Sequence, residues 1–219
     1  MSAPFVLGVT GGIGAGKSTL CRLLEEAHGV PLLDADRLGH EALVPGTTVY
    51  EAILARFGEE ARGPGGALKR SFLGERVFRD PAALRDLNAL VHPWILERIE
   101  SRLSALKASG HDGIVLLDAA LLLDWLDRFR PSAVVLVVAA REVRLERLER
   151  RGVPRPEAER RMAAQVELET TQDPRIDWVI DNSGSRAELA RRAAELWRSV
   201  LERQAGGSPG TKQGEADAG

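Results

Sequence analysis

The stretch "GGIGAGKST", residues 11–19, fits the phosphate-binding pattern G-x-x-x-x-G-K-[ST]. It follows a short apolar run, Phe5 to Val9, which predicts a buried strand that enters a tight turn. Beyond it, apolar residues recur at helical spacing and Gly29 is a natural stop, so we predict a helix over Lys17–His28. The pattern therefore lies between a strand and a helix, where a P-loop must lie.

The chemistry of such a loop explains its residue types. Glycines let successive N–H groups point at phosphate oxygens, and the following helix adds the positive end of its dipole. We expect Lys17 to contact the β- and γ-phosphates of ATP, and Ser18 to ligate Mg²⁺. The alternative is a glycine turn that binds nothing. The residues expected to hold the nucleotide are Gly11, Gly12, Ile13, Gly14, Ala15, Gly16, Lys17, Ser18 and Thr19.

Four more apolar runs predict the rest of a sheet. They cover Val30–Leu33, Ile114–Leu117, Ala133–Ala139 and Trp178–Ile180. The longer runs lack polar alternation, which is typical of parallel strands covered on both faces. Helical patterns separate the runs, so we predict an α/β fold with a parallel five-stranded sheet flanked by helices.

The region between the second and third strands is too long for a simple crossover. It reads as mostly helical, and Asp80 can cap a helix that has Pro81 at its first position. We interpret it as an insertion that holds the substrate. The predicted organisation is a nucleotide-binding core at 1–38, 111–140 and 174–205, a helical domain at 39–110, a lid at 141–173, and a tail at 206–219 with too few apolar residues to order.

Composition excludes several classes of partner. The net charge is −2, with acidic and basic residues interleaved, so we expect no nucleic-acid surface. Cys21 is the only cysteine, which excludes an intrachain disulfide and a multi-cysteine metal site. The sequence contains neither a secretory leader pattern nor an apolar run long enough to span a bilayer. We therefore expect a cytoplasmic protein without a membrane partner; the sequence does not indicate its oligomeric state.

The second strand ends in "LLDAD", residues 32–36, which places Asp34 and Asp36 at the carboxyl edge of the sheet. Ligands bind at this edge in open parallel sheets. A carboxylate there can take the proton of a hydroxyl group that accepts a phosphate. The alternative for each aspartate is that it only caps the next helix.

Several motifs together resemble the dephospho-CoA kinase family. They are "TGGIGAGKST", "DADRLGHEAL", "LNALVHP", "RMAAQ" and "VIDNSG", in this order, and the resemblance runs from about Phe5 to Leu201. It implies transfer of the ATP γ-phosphate to the ribose 3′-hydroxyl of dephospho-CoA, with Asp36 as the base. It also implies a P-loop kinase core, a helical domain that binds CoA, and a mobile lid.

The resemblance implies further site residues. Asp118 can support Mg²⁺ through water, or be a strand-end carboxylate with no catalytic duty. In the arginine-rich segment 141–165, Arg147 and Arg151 are candidates for phosphate contacts, the alternative being a solvated charged helix. Thr170 and Thr171 stand where the family usually has another basic residue. The remaining candidates are Asn182 beside the ATP base, and Arg70, Arg76 and His92 near the substrate.

His92 precedes Pro93, and this pair predicts a helix break with a partly packed imidazole rather than a catalytic group. Two other functions remain open at this point. One is a P-loop kinase for a nucleoside monophosphate or a small metabolite, and the other is a protein that senses ATP without catalysis. A regulatory GTPase is disfavoured, because the chain lacks the guanine-reading N-K-x-D motif.

Overall fold

The computed structural model describes residues 3–165 and 173–206. Its centre is a five-stranded sheet in which all neighbouring strands are parallel, in the order β2-β3-β1-β4-β5. The strands are β1 Phe5–Thr10, β2 Leu32–Asp34, β3 Ile114–Asp118, β4 Ala133–Val138 and β5 Trp178–Asp181. The predicted fold class is confirmed, and the P-loop strand lies in the middle of the sheet.

Nine α-helices lie in the described ranges. They are α1 Lys17–His28, α2 Ala35–Ala42, α3 Thr48–Phe57, α4 Arg70–Arg79, α5 Pro81–Ala108, α6 Leu122–Trp125, α7 Arg141–Arg150, α8 Arg155–Ala163 and α9 Arg186–Gln204. Two short 3₁₀ helices, Glu59–Ala61 and Pro64–Gly66, lie between α3 and α4. The helix predicted after the P-loop has the expected bounds. No helix in the described part of the chain is long and apolar enough to cross a membrane.

The sheet has a separate hydrophobic core on each face, because its side chains alternate between the two faces. In β1, Val6 belongs to the core formed with α2 and α5, whereas Leu7 belongs to the core formed with α1 and α9. On the second face, the His28 and Trp197 rings stack with their centroids 4.1 Å apart, which ties α1 to α9. Both faces are covered, as the unbroken apolar runs predict.

The insertion between β2 and β3 is helical, as predicted. Asp80 accepts a hydrogen bond from the Ala82 N–H at 2.8 Å, and Pro81 occupies the first position of α5. The predicted helix break at His92–Pro93 is wrong, because the 28-residue helix α5, Pro81–Ala108, continues through Pro93. A proline removes only one backbone hydrogen bond, and Ile95 and Ile99 beyond it are buried against the sheet. Burial of that face keeps the helix continuous.

Two smaller apolar clusters lie away from the sheet. One is inside the insertion, where Tyr50, Ile53 and Leu54 of α3 pack against Leu73 of α4. The other joins α7 to α8 through Leu145, Leu148, Ala158 and Met162. The arginine-rich segment therefore has an apolar seam beneath its charged surface.

Candidate active site

The P-loop connects β1 to α1 and is packed tightly at both of its outer glycines. Gly11 has φ +146°, and a Cβ there would overlap the Val137 carbonyl oxygen of β4. Gly16 has φ +100°, and a Cβ there would overlap the Asn182 amide. Gly16 is also the N-cap residue of α1 and makes no side-chain cap, so the first turn of the helix presents its N–H groups to a ligand.

Asn182 and Arg147 hold the back of this loop. The Asn182 amide, which is buried, donates to the Ala15 carbonyl at 2.7 Å. The Arg147 guanidinium reaches the Gly14 and Ala15 carbonyls at 3.4 and 3.3 Å and donates to the Asn182 carbonyl at 2.8 Å. The C=O and the next N–H point in opposite directions across a trans peptide. Because the Ala15 carbonyl is anchored to Asn182, the Gly16 N–H points away from Asn182. These two side chains help to hold the P-loop in the conformation expected of a phosphate cradle.

Lys17 and Asp118 face each other at the end of the central strands. The Lys17 Nζ lies 3.9 Å from the Asp118 Oδ1, and both side chains are nearly buried. Burial raises the pKa of the Asp118 carboxyl, while the Lys17 ammonium and the Ser18 hydroxyl lower it. Asp118 therefore lies beside the lysine and the serine that the motif assigns to phosphate and metal.

The two aspartates of "LLDAD" have different roles in α2. Asp34 is the N-cap residue, and its carboxylate accepts a hydrogen bond from the Arg37 N–H at 3.0 Å. It also pairs in register with Asp118 of β3. Asp36 lies one residue inside the helix, is exposed, and faces a cavity. Capping therefore accounts for Asp34 and leaves the Asp36 carboxylate available for chemistry.

That cavity, here called the insertion cavity, has a volume of about 430 Å³ and lies between α2, α4, α5 and the loop after β3. Asp36, Arg70 and His92 all line it. Leu73, Gly74 and Val77 lie on the same face of α4 as Arg70, at helical spacing. Arg76 falls between these positions, is exposed, and lies outside the lining. The structure thus brings three of the four predicted substrate-side residues together.

His92 is a packed residue of the cavity wall. The Trp125 indole N–H donates to His92 Nδ1 at 3.2 Å, and the two rings meet edge to face. Burial lowers the pKa of this imidazole, which favours the neutral form. With Nδ1 accepting, the proton of the neutral ring lies on Nε2. His92 can therefore offer a hydrogen bond to a ligand without carrying charge.

A second cavity, here called the arginine cavity, lies on the other side of the P-loop and has a volume of about 290 Å³. Thr19, Arg147, Arg151 and Asn182, all predicted to contact the nucleotide, line it. Burial and the neighbouring Arg150 and Arg151 guanidinium groups lower the pKa of Arg147. An anionic ligand would relieve this repulsion between cations. The full lining is Gly16, Thr19, Arg147, Arg150, Arg151, Asn182, Arg186 and Leu189.

The sequence-based reasoning missed several polar residues of these sites. His40 and Asn88 line the insertion cavity, and Arg144 and Gln165 contact the P-loop. His40, Asn88 and Gln165 lie inside motifs quoted above, which is a signal that could have found them. Nothing in the sequence distinguishes Arg144 from the other arginines of α7. Thr170 and Thr171 lie outside the described residues.

The described residues contain no cluster of three or more His, Cys, Asp or Glu side chains that could hold a metal ion. Oxygen donors near the P-loop include the Ser18 hydroxyl and the Asp118 carboxylate. Such a donor set suits Mg²⁺, which usually binds through one or two protein oxygens together with substrate phosphates.

Comparison with solved structures gives the same fold. A crystal structure of a Thermus thermophilus protein matches with a TM-score of 0.75 and 35% identity, over 91% of this chain and 99% of that one. The dephospho-CoA kinase from Campylobacter jejuni matches with a TM-score of 0.59 and 21% identity, over 91% of this chain and 98% of that one. Shikimate kinase from Acinetobacter baumannii matches at 0.51 and 17%, over 92% and 96%. At these lower identities the likeness concerns the fold alone.

Sequence comparison is more specific. Residues 5–188 match the family model for dephospho-CoA kinase. The dephospho-CoA kinase of Frankia casuarinae is 41% identical over 91% of this chain and 85% of its own length. That of Geobacter sulfurreducens is 42% identical over 88% of this chain and 96% of its own length. The chain therefore belongs to the dephospho-CoA kinase family.

Proposed function

We propose that this protein transfers the γ-phosphate of ATP to the ribose 3′-hydroxyl of dephospho-CoA, which yields coenzyme A and ADP in the last step of CoA synthesis. Membership of the family supports this acceptor over a nucleoside monophosphate or another metabolite. It also favours an enzyme over a protein that only senses ATP.

One observation of the site carries the proposal. The P-loop follows β1, and residues that follow β2 and β3 line the insertion cavity, so both lie at the carboxyl edge of the sheet. Asp36 lines the cavity and lies two residues after Asp34, which pairs in register with Asp118, and Asp118 lies beside Lys17. An acceptor hydroxyl next to Asp36 would therefore lie near a phosphate held by Lys17. Kinase chemistry needs this proximity before anything else.

The nucleotide end of the reaction belongs to the P-loop. The Gly14 and Gly16 N–H groups and those of the first turn of α1 would bind the phosphates, and Lys17 would leave Asp118 to neutralise charge that develops during transfer. Ser18 would hold Mg²⁺, and Asp118 would support it through water. Bound Mg²⁺ supplies charge neutralisation on the β- and γ-phosphates.

The acceptor end belongs to the insertion cavity. The 3′-hydroxyl oxygen forms a bond to the γ-phosphorus while the bond from that phosphorus to the bridging oxygen of ADP breaks. Asp36 accepts the hydroxyl proton, and ADP leaves with the electron pair of the broken bond. Arg70 would pair with the diphosphate of dephospho-CoA, and the neutral His92 would donate to a polar group of it.

The remaining residues and segments are also assigned either to the nucleotide or to the acceptor. The adenosine end of ATP would lie towards the arginine cavity, with Asn182 beside the adenine base. Arg147 and Arg151 would be the cationic neighbours of the nucleotide. The helical insertion, 39–110, would be the CoA-binding domain. Residues 141–173 would act as the lid over the phosphate groups of ATP and dephospho-CoA.

Asp36→Asn tests the proposal. The substitution keeps the shape of the side chain and removes its basicity, so turnover should fall by roughly 10²-fold or more. ATP and dephospho-CoA should still bind, because the phosphate contacts are intact. Steady-state kinetics with both substrates, together with calorimetric binding of each, measure the two effects separately.

Asp80→Asn is the matched control. Asp80 likewise lies near the start of a helix, but it is the N-cap residue of α5 and lies outside the lining of the insertion cavity. Asparagine caps nearly as well as aspartate, so this variant should keep its turnover and lose only a few tenths of a kcal/mol of stability. Turnover of Asp36→Asn within about threefold of the wild type would exclude Asp36 as the general base.

A further inference from the structure

Ile13 at the tip of the P-loop is held by side chains from the α7–α8 helix pair. Its N–H donates to the Gln165 Oε1 at 2.7 Å, and its carbonyl accepts from the Arg144 Nε at 2.8 Å. Arg144 lies in the first half of α7, whereas Gln165 follows the end of α8. Both main-chain groups of one loop residue are thus bound by the two ends of the same helix pair.

Packing reinforces these two hydrogen bonds. The Ile13 side chain packs against the apolar seam of α7 and α8, which includes Leu145 and Met162. Gly14 has φ +79°, and a Cβ there would lie only 3.1 to 3.2 Å from the backbone and Cβ of Arg144. Arg144 is itself 4% exposed. The loop tip and the helix pair therefore form one packed unit.

These contacts set the orientation of the P-loop N–H groups that would form the phosphate cradle. A planar trans peptide points its C=O and the following N–H in opposite directions, so the Arg144 hydrogen bond to the Ile13 carbonyl turns the Gly14 N–H away from α7. The Asn182 hydrogen bond to the Ala15 carbonyl acts on the Gly16 N–H in the same way. The Gln165 hydrogen bond fixes the peptide that precedes Ile13. The cradle is thereby oriented by protein side chains before any phosphate binds.

We propose that Gln165 and Arg144 are positioning residues that hold the P-loop in its phosphate-binding conformation and thereby set its affinity for nucleotide. Without them, a smaller fraction of the protein has a competent loop, and the apparent dissociation constant rises in proportion. Bound phosphates restore the conformation, so the rate of transfer at saturation is unchanged. The inference rests on the proposed nucleotide site and is independent of the identity of the acceptor.

Gln165→Met tests the inference, because methionine has a similar length and lacks the acceptor oxygen. Loss of one hydrogen bond of ordinary strength should weaken ADP binding by about three- to tenfold, as measured by calorimetry. The KM for ATP should rise by the same factor, while kcat and the KM for dephospho-CoA stay within about twofold. Arg144→Met removes the other hydrogen bond and should shift the same two quantities, with a melting curve to establish that it folds.

Arg161→Ala is the control within the same helix pair. Arg161 is exposed on α8 and pairs with Glu157, away from the P-loop. Its removal should leave ADP affinity unchanged. ADP affinity of folded Gln165→Met within twofold of the wild type would overturn the inference, and so would a fall in kcat with unchanged ADP affinity. A wild-type protein that fails to phosphorylate dephospho-CoA would refute the proposed acceptor but leave this binding test intact.

Discussion

Asp34 and Asp36 have the same chemistry and lie two positions apart, yet helix geometry gives them different surroundings. The N-cap carboxylate of Asp34 is occupied by a backbone N–H, whereas the Asp36 side chain in the first turn projects into the insertion cavity. A pattern of residue types cannot separate these roles, because either aspartate can cap a helix that begins nearby. The bounds of α2 separate them.

Burial of the Asp118 carboxyl group lowers the stability of the folded protein when the group is ionised. Burial raises the pKa of its carboxyl, so the native state holds more protons than the unfolded state from about pH 4, where a free aspartate titrates, up to the raised native value. Stability therefore falls as the pH rises through this window, and it is level above it. The Lys17 ammonium reduces this penalty without removing it.

Asp118→Asn should consequently gain stability relative to the wild type as the pH rises from about 4, and this relative gain should level off above the native pKa. Urea unfolding at several pH values measures it. Asp112→Asn, at an exposed carboxylate, is the control. A relative stability that is constant or falls with pH would contradict the prediction, whereas kinase activity should decrease in any case.

At the scale of elements, hydrophobic pattern was sufficient where burial determines structure. The run before the P-loop, the helix after it and the parallel strands follow from apolar residues that must be covered. The course of α5 did not follow, because Pro93 favours a break locally and the burial of Ile95 and Ile99 overrides it. The anchoring of Ile13 was also hidden, since its partners are more than 130 residues away along the chain.

Pro93 leads to a prediction at this scale. Pro93→Ala supplies a backbone N–H in the interior of α5, where proline costs about 3 kcal/mol relative to alanine. Proline also restricts the unfolded chain, which offsets about 0.4–1 kcal/mol of the gain. Because the native helix has already adapted to the ring, we expect a net rise of about 1–2 kcal/mol in the free energy of unfolding, measured by urea denaturation.

Pro81→Ala is the matched control within the same helix. Pro81 lies at the first helical position, where its missing N–H costs nothing and its fixed φ suits the helix. Its replacement should leave stability unchanged or slightly lower. A Pro93→Ala variant that is less stable than the wild type would contradict the prediction. It would mean that Pro93 relieves strain that a regular helix would have at this point of α5.

At the scale of the whole molecule, the two proposed ligands lie on different packing units. The P-loop is tied to α7 and α8, whereas the insertion cavity is walled by α2, α4 and α5. The core of the insertion is separate from the cores of the sheet, and α5 joins them through Val91 and Trp94, which pack against both. Each ligand should therefore stabilise its own unit, since locally packed units open with their own free energies.

Hydrogen exchange with one ligand at a time tests this division. ADP alone should slow exchange in the P-loop and in α7, with little change in α4. Dephospho-CoA alone should slow exchange in α4, Arg70–Arg79, whose Arg70, Leu73 and Val77 face the cavity. Saturation by each ligand is established beforehand by calorimetry, and β3 in the sheet core serves as the internal reference. Protection of α4 by ADP alone would contradict the division into separate units. Protection of α7 without α4 by dephospho-CoA would mean that the acceptor lies outside the insertion cavity. Protection in the predicted pattern would support binding of ADP at the P-loop and of dephospho-CoA in the insertion cavity, on either side of Asp36.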